Sequence, residues 1–233
     1  MRIISFSLLL MMSLTSAAVA QSELKSVKKV YDQFRKTHKT LIFDQQYSIS
    51  AQGVEFISEN KVFIKGSKKR IESKFQASGM PGEMQMKLIV NGDDSWMYSP
   101  MRGLEKASDQ NPMVQMSKRD FLSFPSGAKF LKTDILNSVS CYVFSVSENG
   151  LDTQIWYNKT SGAVQKIMTQ TPQGDMVLMI KKLKKLKDGF EIPANIEIMM
   201  NQMTVGMIVI NNIQENPEIS DELFDPQKLV PAE

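Results

Sequence analysis

The spacing of apolar residues changes period once along this chain, and the change divides it. Between residues 22 and 37, Leu24, Val27, Val30, Tyr31 and Phe34 recur at helical spacing, with Lys25, Lys28, Lys29, Asp32 and Lys36 on the other side. That pattern predicts an amphipathic helix, and Ser22 can cap its start. Beyond it the period shortens to two. Residues 41–57, 60–65 and 70–75 read as strands, broken by Ala51-Gln52-Gly53 and by Gly66-Ser67-Lys68-Lys69. After the turn Gly79-Met80-Pro81-Gly82 comes the clearest alternation: Met84, Met86, Leu88 and Val90 on one face, Gln85 and Lys87 on the other. Asn91-Gly92-Asp93-Asp94 is a hairpin signal. Trp96 and Tyr98 share one face of the returning strand, which Pro100 ends.

Residues 101–126 differ in character. Pro112 and Pro125 bracket Met113, Val114, Met116, Phe121, Leu122 and Phe124, and Ser117 followed by Asp120 resembles a capping box. A short helix or two is predicted there. Strands return at Phe130 and continue to about Ile213, with turns at Glu148-Asn149-Gly150, Thr160-Ser161-Gly162, Pro172-Gln173-Gly174-Asp175, Lys187-Asp188-Gly189 and Asn201-Gln202. Strands at hairpin spacing predict one large curved antiparallel sheet, mainly β with some α, in place of alternating βαβ units. No repeat or linker divides the chain, so residues 21–233 are expected to form one domain.

The start of the chain predicts where it works. Arg2 gives a positive beginning, residues 3–14 are apolar but too few to span a bilayer, and Ala18-Val19-Ala20 has the small-x-small form that a signal peptidase cuts. Cleavage after Ala20 would leave a soluble exported chain, expected in a periplasm. No cysteine near the cut could carry a lipid anchor. With Arg2 removed, 28 basic residues become 27 against 25 acidic, a net charge of +2. That is too weak a field for nucleic acid.

Candidate chemistry is sparse. His38 is the only histidine and Cys141 the only cysteine, which removes a multi-histidine metal site, a histidine triad and an internal disulfide. His38 reads as a surface residue ending the first helix, and Cys141, in the strand-like run 139–144, as a small buried apolar residue. No GxSxG, P-loop, HExxH or CxxC occurs, and acidic pairs such as Asp93-Asp94 and Asp221-Glu222 sit in turn or capping contexts. The expectation is a protein without catalytic residues, cofactor or metal. Seventeen methionines are present, a residue suited either to core filling or to surfaces that fit apolar partners of varied shape. The basic run 181–187 reads as a solvated strand end that discourages edge pairing, or as a docking site for an acidic partner or anionic membrane.

Several stretches, in order, carry a family likeness. They are Val62-Phe63-Ile64-Lys65-Gly66 with Arg70-Ile71-Glu72, Leu88-Ile89-Val90-Asn91-Gly92 with Trp96-Met97-Tyr98-Ser99-Pro100, Asp188-Gly189-Phe190-Glu191-Ile192-Pro193, and Ile219-Ser220-Asp221-Glu222-Leu223-Phe224. Across residues 23–230 the chain resembles the outer-membrane lipoprotein carrier (LolA-like) family and the broader lipoprotein-sorting proteins grouped with it. The resemblance implies an unclosed β-barrel with helices lidding an apolar cavity, and a monomeric carrier or binder of lipoprotein acyl chains or other lipids. An inner-membrane releasing complex and an outer-membrane acceptor would be its partners. It leaves open an envelope-stress sensor built on the same domain, although such sensors carry a further C-terminal domain and this chain stops at Glu233, soon after Phe224.

On that reading the cavity candidates are Met84, Met86, Leu88, Val90, Trp96, Tyr98, Ile196, Ile198 and Met200, and the lid candidates are Met113, Met116, Phe121, Leu122 and Phe124. Strand parity groups the cavity candidates by face without saying which face looks inward. The family's carriers place an arginine in the loop after the strand matching 62–65, where it bonds to the lid. Gly66-Ser67 stands there in this chain, with Arg70 a few residues on, so lid closure is expected to rest mainly on apolar contact.

Overall fold

The computed structural model describes residues 4–230 other than 52, 81, 93, 109–110, 112–113, 115–116, 118–120 and 149. The helix α1 (Ile4–Thr37) leads into β1 (Thr40–Ala51), β2 (Val54–Lys65), β3 (Lys68–Ala77), β4 (Met84–Asn91), β5 (Asp94–Ser99) and β6 (Gly103–Lys106). After a long connection come β7 (Lys129–Leu136), β8 (Val139–Glu148), β9 (Leu151–Asn158), β10 (Val164–Thr171), β11 (Gly174–Lys185), β12 (Glu191–Met200) and β13 (Met203–Glu215). Two 3-10 turns, η1 (Asp221–Phe224) and η2 (Pro226–Leu229), follow. The expected cut after Ala20 falls inside α1. Among the described residues no helix is long and apolar enough to cross a membrane.

All thirteen strands belong to one antiparallel sheet in the order β6-β5-β4-β3-β2-β1-β13-β12-β11-β10-β9-β8-β7. Two up-and-down meanders, β1–β6 and β7–β13, are joined at the β1·β13 ladder, where Tyr47 faces Ile208 and Gln45 faces Ile210. The sheet does not close: β6 and β7 are its two outer strands, and residues 107–128 run from one to the other.

Local chemistry explains the turns. The β12–β13 hairpin turns on Asn201 and Gln202 with φ of 50° and 69°, and β7–β8 on Asn137 and Ser138 with φ of 49° and 67°. Positive φ at both central residues suits the right-handed twist of the flanking strands. The second turn is not among those read from the sequence, although it is built like the first. β6 goes unread too, being only four residues long within the segment read as helical. β2 runs unbroken through residues 58–59, which the sequence reading leaves between two strands.

α1 lays its apolar stripe on the inner face of β7–β12. Val27, Tyr31 and Phe34 are buried with Phe144, Ile155, Tyr157, Val164, Leu186 and Phe190. Tyr31 meets Tyr157 and Phe190 edge-on at ring separations of 5.8 and 5.4 Å, contacts worth about 0.5–1.5 kcal/mol each beyond area burial. Arg35 and Lys36 lie in the last turn, where cations favour the helix dipole. His38 does end this helix, but it is buried, stacked on Phe34 at 4.6 Å, with Nε2 3.1 Å from Glu215 and Nδ1 3.5 Å from Asp188. Two carboxylates and an aromatic ring draw it inward, a setting that a lone histidine in a polar stretch does not reveal. Cys141 is buried and free, and burial pushes its thiol pKa up.

The outer face of β1–β5 is covered by the C-terminal segment. Phe63 packs with Ile219 and Phe224. Basic side chains then tie the segment down through its backbone carbonyls: Lys65 Nζ to Ile219 O (2.9 Å), Arg70 Nη1 to Leu223 O (2.9 Å) and Lys87 Nζ to Leu229 O (3.1 Å). Arg70 also donates through Nε and Nη2 to Glu72.

Gly206 sits on the joining ladder opposite Ile49, where a Cβ would stand 2.3 Å from the Ser48 carbonyl oxygen. Backbone cannot give way as a flexible side chain would. Gly206→Ala should therefore destabilise the fold by about 1–3 kcal/mol, read as a lower urea midpoint with an unchanged slope.

Candidate functional site: an apolar cavity on the inner face

Strand register sets out the inner face of the first meander in rows. Leu41, Ile64, Lys69 and Val90 form one row; Phe43, Val62, Ile71 and Leu88 the next; then Gln45, Asn60, Ser73 and Met86; then Tyr47, Ser58, Phe75 and Met84; then Ile49 and Phe56. These rows, with Ile210 of β13 and Ile192 and Pro193 of β12, surround a cavity of about 340 Å³. Residues from strands far apart in the sheet share this one space because the sheet curls. Ser117, Phe121 and Leu122 of the β6–β7 connection complete the lining.

Lys69 differs from its neighbours on that face. Its Nζ donates to the Ser117 carbonyl oxygen, so β3 holds the connection by a directional, charge-assisted bond. The sequence led us to expect closure resting mainly on apolar contact, and this bond adds a directional contact to it. Nor does Arg70 take part, since it points to the opposite face and binds Glu72 and Leu223. Adjacent residues of a strand face opposite sides, and this parity separates the roles of Lys69 and Arg70.

Tyr47 lines the cavity, and burial pushes its hydroxyl from 10.0 up to about 12, an effect that a hydrogen bond from Gln45 partly offsets. Thr169, Ser58, Asn60 and Ser73 are buried polar residues, the last three lining the cavity.

The sequence-derived candidates divide between the faces. Met86 and Leu88 line the cavity, and Met84 shares their face, opposite Phe75. Val90 belongs to the same face, buried with Met97, Ala107 and Val114. Ile196 and Ile198 are buried in an adjoining cluster with Ile208 and Ile210, against which Phe121 packs, and Met200 follows on the same parity, paired with Met176. Trp96 and Tyr98 lie on the opposite face. Trp96 pairs with Ile89 and Tyr98 with Lys87, whose Nζ reaches Leu229 O there. Met97 and Ser95, not their aromatic neighbours, face inward. Of the lid candidates, Phe121 and Leu122 line the cavity, and Phe124 packs on Tyr31, Phe144 and Tyr157. Met113 and Met116 lie outside the described residues.

Sequence reasoning passed over Phe43, Tyr47, Ile49, Phe56, Val62 and Ile64, which carry much of the lining. Their period-two pattern was present, but Gln45, Ser58 and Asn60 interrupt it with polar residues on the same face.

No family model matches this chain, and no curated protein matches it. Solved structures do share its fold. A DUF1329 family protein from Desulfovibrio piger superposes with a TM-score of 0.69 at 14% identity, covering 91% of this chain and 99% of that one. A domain from Vibrio parahaemolyticus, provisionally described as outer membrane lipoprotein-sorting, superposes with a TM-score of 0.64 at 15% identity, covering 89% and 99%. At these identities the likeness is one of fold, and the open antiparallel sheet agrees with the fold that the sequence resemblance implies.

Two measurements follow from the lining. Lys69→Met keeps the apolar stem and removes the donor to Ser117 O; it should cost about 0.5–1.5 kcal/mol of stability and speed the entry of an environment-sensitive dye in stopped flow. Tyr47 holds its proton more tightly folded than unfolded, so its contribution to stability is complete below pH 10 and is lost as the pH rises through about 12. Denaturant midpoints should fall over that window, and Tyr47→Phe should fall less.

Proposed function

We propose that this chain is an exported, non-enzymatic carrier or binder of lipoprotein acyl chains or other lipids, acting in the periplasm in the sorting of lipoproteins to the outer membrane. The observation that carries this reading is the cavity itself: a space lined mainly by Phe, Tyr, Ile, Val, Leu and Met on the inner face of an open sheet. Such a surface desolvates acyl chains at about 0.8 kcal/mol per buried CH₂. It needs no nucleophile, metal or nucleotide. In this reading the 22–37 part of α1, with Phe121, Leu122 and Phe124, acts as the lid, since an apolar concavity left uncovered is an aggregation liability. The fold shared with the Vibrio parahaemolyticus domain supports the same function. An inner-membrane complex that loads the carrier and an outer-membrane acceptor that unloads it would be its partners.

Native mass spectrometry of the protein purified from its own periplasm tests this directly. Co-purified lipid or acylated lipoprotein is the expected result. Finding neither, together with no binding of a fluorescent fatty acid, would overturn the reading. Recovery of an inner-membrane signalling protein in place of a lipoprotein would move the assignment to a sensor. Phe121 both lines the cavity and packs on the Ile196–Ile210 cluster. Phe121→Asp should leave the sheet folded by circular dichroism while raising binding of an environment-sensitive dye several-fold.

A further inference from the structure

One row of the cavity is mainly polar, and mainly apolar rows lie on both sides of it. Gln45, Asn60 and Ser73 stand side by side across β1, β2 and β3. The row before them is Phe43, Val62, Ile71 and Leu88; the rows after them are Tyr47, Ser58, Phe75 and Met84, then Ile49 and Phe56. Successive rows on one face of a sheet are about 7 Å apart. Any molecule extended along the strands must therefore pass apolar wall, then hydrogen-bonding groups, then apolar wall again.

The groups in the polar row are buried and oriented. Asn60 and Ser73 are 8% and 5% exposed, and Ser58, in the next row, is 6% exposed. Ser58 Oγ donates to Asn60 Oδ1 at 2.9 Å, which occupies the acceptor end of the amide and leaves its Nδ2 hydrogens as donors. Ser73 adds a hydroxyl that lines the same space. Gln45 hydrogen-bonds to Tyr47. No cationic side chain stands in the row; Lys69, two rows away, gives its Nζ to Ser117 O.

This arrangement selects among apolar ligands. A plain hydrocarbon laid across the row would cover the Asn60 and Ser73 donors without pairing them, which is costly in an apolar site. A carboxylate would bring a buried charge to a place with no counter-charge. A neutral carbonyl matches both constraints: it accepts two hydrogen bonds and carries no charge.

We infer that the cavity is built for an acyl ester or amide whose carbonyl lies between two apolar chains, with the carbonyl oxygen accepting from Asn60 Nδ2 and Ser73 Oγ. The inference rests on the lipid-binding reading and narrows it to a ligand class. The polar row then sets the depth at which the ligand stops, and the apolar rows on either side supply most of the affinity.

Displacement of a cavity-bound environment-sensitive dye from the full chain tests this, using three competitors of equal chain length: pentyl hexanoate, dodecane and dodecanoate. The ester should displace the dye about tenfold more effectively than dodecane, and more effectively than dodecanoate. Ser73→Ala alone, a change that barely alters volume, should reduce the ester preference, and Asn60→Leu with Ser73→Ala should abolish it while leaving or raising the affinity for dodecane. Equal displacement by ester and dodecane in the unaltered protein would overturn the inference and leave the lipid-binding reading intact. Retention of the full preference in the folded double variant would also overturn it. Displacement by none of the three would defeat both.

Discussion

The β1·β13 ladder is the contact on which the rest of the molecule depends. Every other strand pairs with its neighbour in sequence, so each meander can form by successive hairpins. Only this ladder brings residues 41–49 against residues 206–215, and it must overcome the entropy of closing nearly the whole chain. Bonds gathered at its end help to hold it. Asn216 accepts from Lys39 N through Oδ1 and donates from Nδ2 to Thr37 O, Thr40 Oγ1 donates to Pro217 O, and Glu215 faces His38. The start of the first meander and the end of the last are clasped there, beside the end of α1. Without that clasp the inner faces of the two meanders would share neither a core nor a cavity.

The two faces of the curved sheet are satisfied by different physics. Inside, aromatic and aliphatic side chains from α1, the strands and the β6–β7 connection pack on one another, and polar bonds such as Lys69 to Ser117 O are few and local. Outside, the C-terminal segment buries Ile219, Phe224 and Leu229 and is tied down both by Lys65, Arg70 and Lys87 reaching its carbonyl oxygens and by Lys65 and Lys68 pairing with the Asp221 carboxylate. A carbonyl is the same whatever side chain its residue bears. The carbonyl bonds thus depend on the basic residues of β2, β3 and β4 and on the path of the segment, whereas its apolar contacts and the Asp221 pairs depend on its composition.

Much of the fold was legible because it follows from period and turn chemistry. The Leu24–Phe34 stripe, the Met84–Val90 alternation and the glycine-bearing turns each correspond to an element of the structure. β6 was not legible, being too short to show a period, and the Asn137-Ser138 turn was passed over although it is built like the Asn201-Gln202 turn that was read. The site was half legible. Parity grouped Met84, Met86, Leu88 and Val90 correctly as one face, but no rule within a single strand says which face of its partner it shares. Parity likewise grouped Trp96 and Tyr98 on one face, and the register of the Asn91–Asp94 hairpin turns that face outward. The polar lining residues escaped because sequence reasoning treats a polar residue in a strand as outward-facing, an inference that fails where the inner face encloses a space.

The passage of the chain from β6 directly to β7 changes what kind of container this is. In a closed barrel, strand number and stagger set the bore, because a seam of ladder hydrogen bonds runs all the way round. Here the last interval of the circumference is spanned by residues 107–128, a covalent tether in place of a seam. A tether fixes only the greatest girth, not every smaller one. The protein is in this sense a cuff and not a pipe: no ladder of hydrogen bonds sets the interval between β6 and β7.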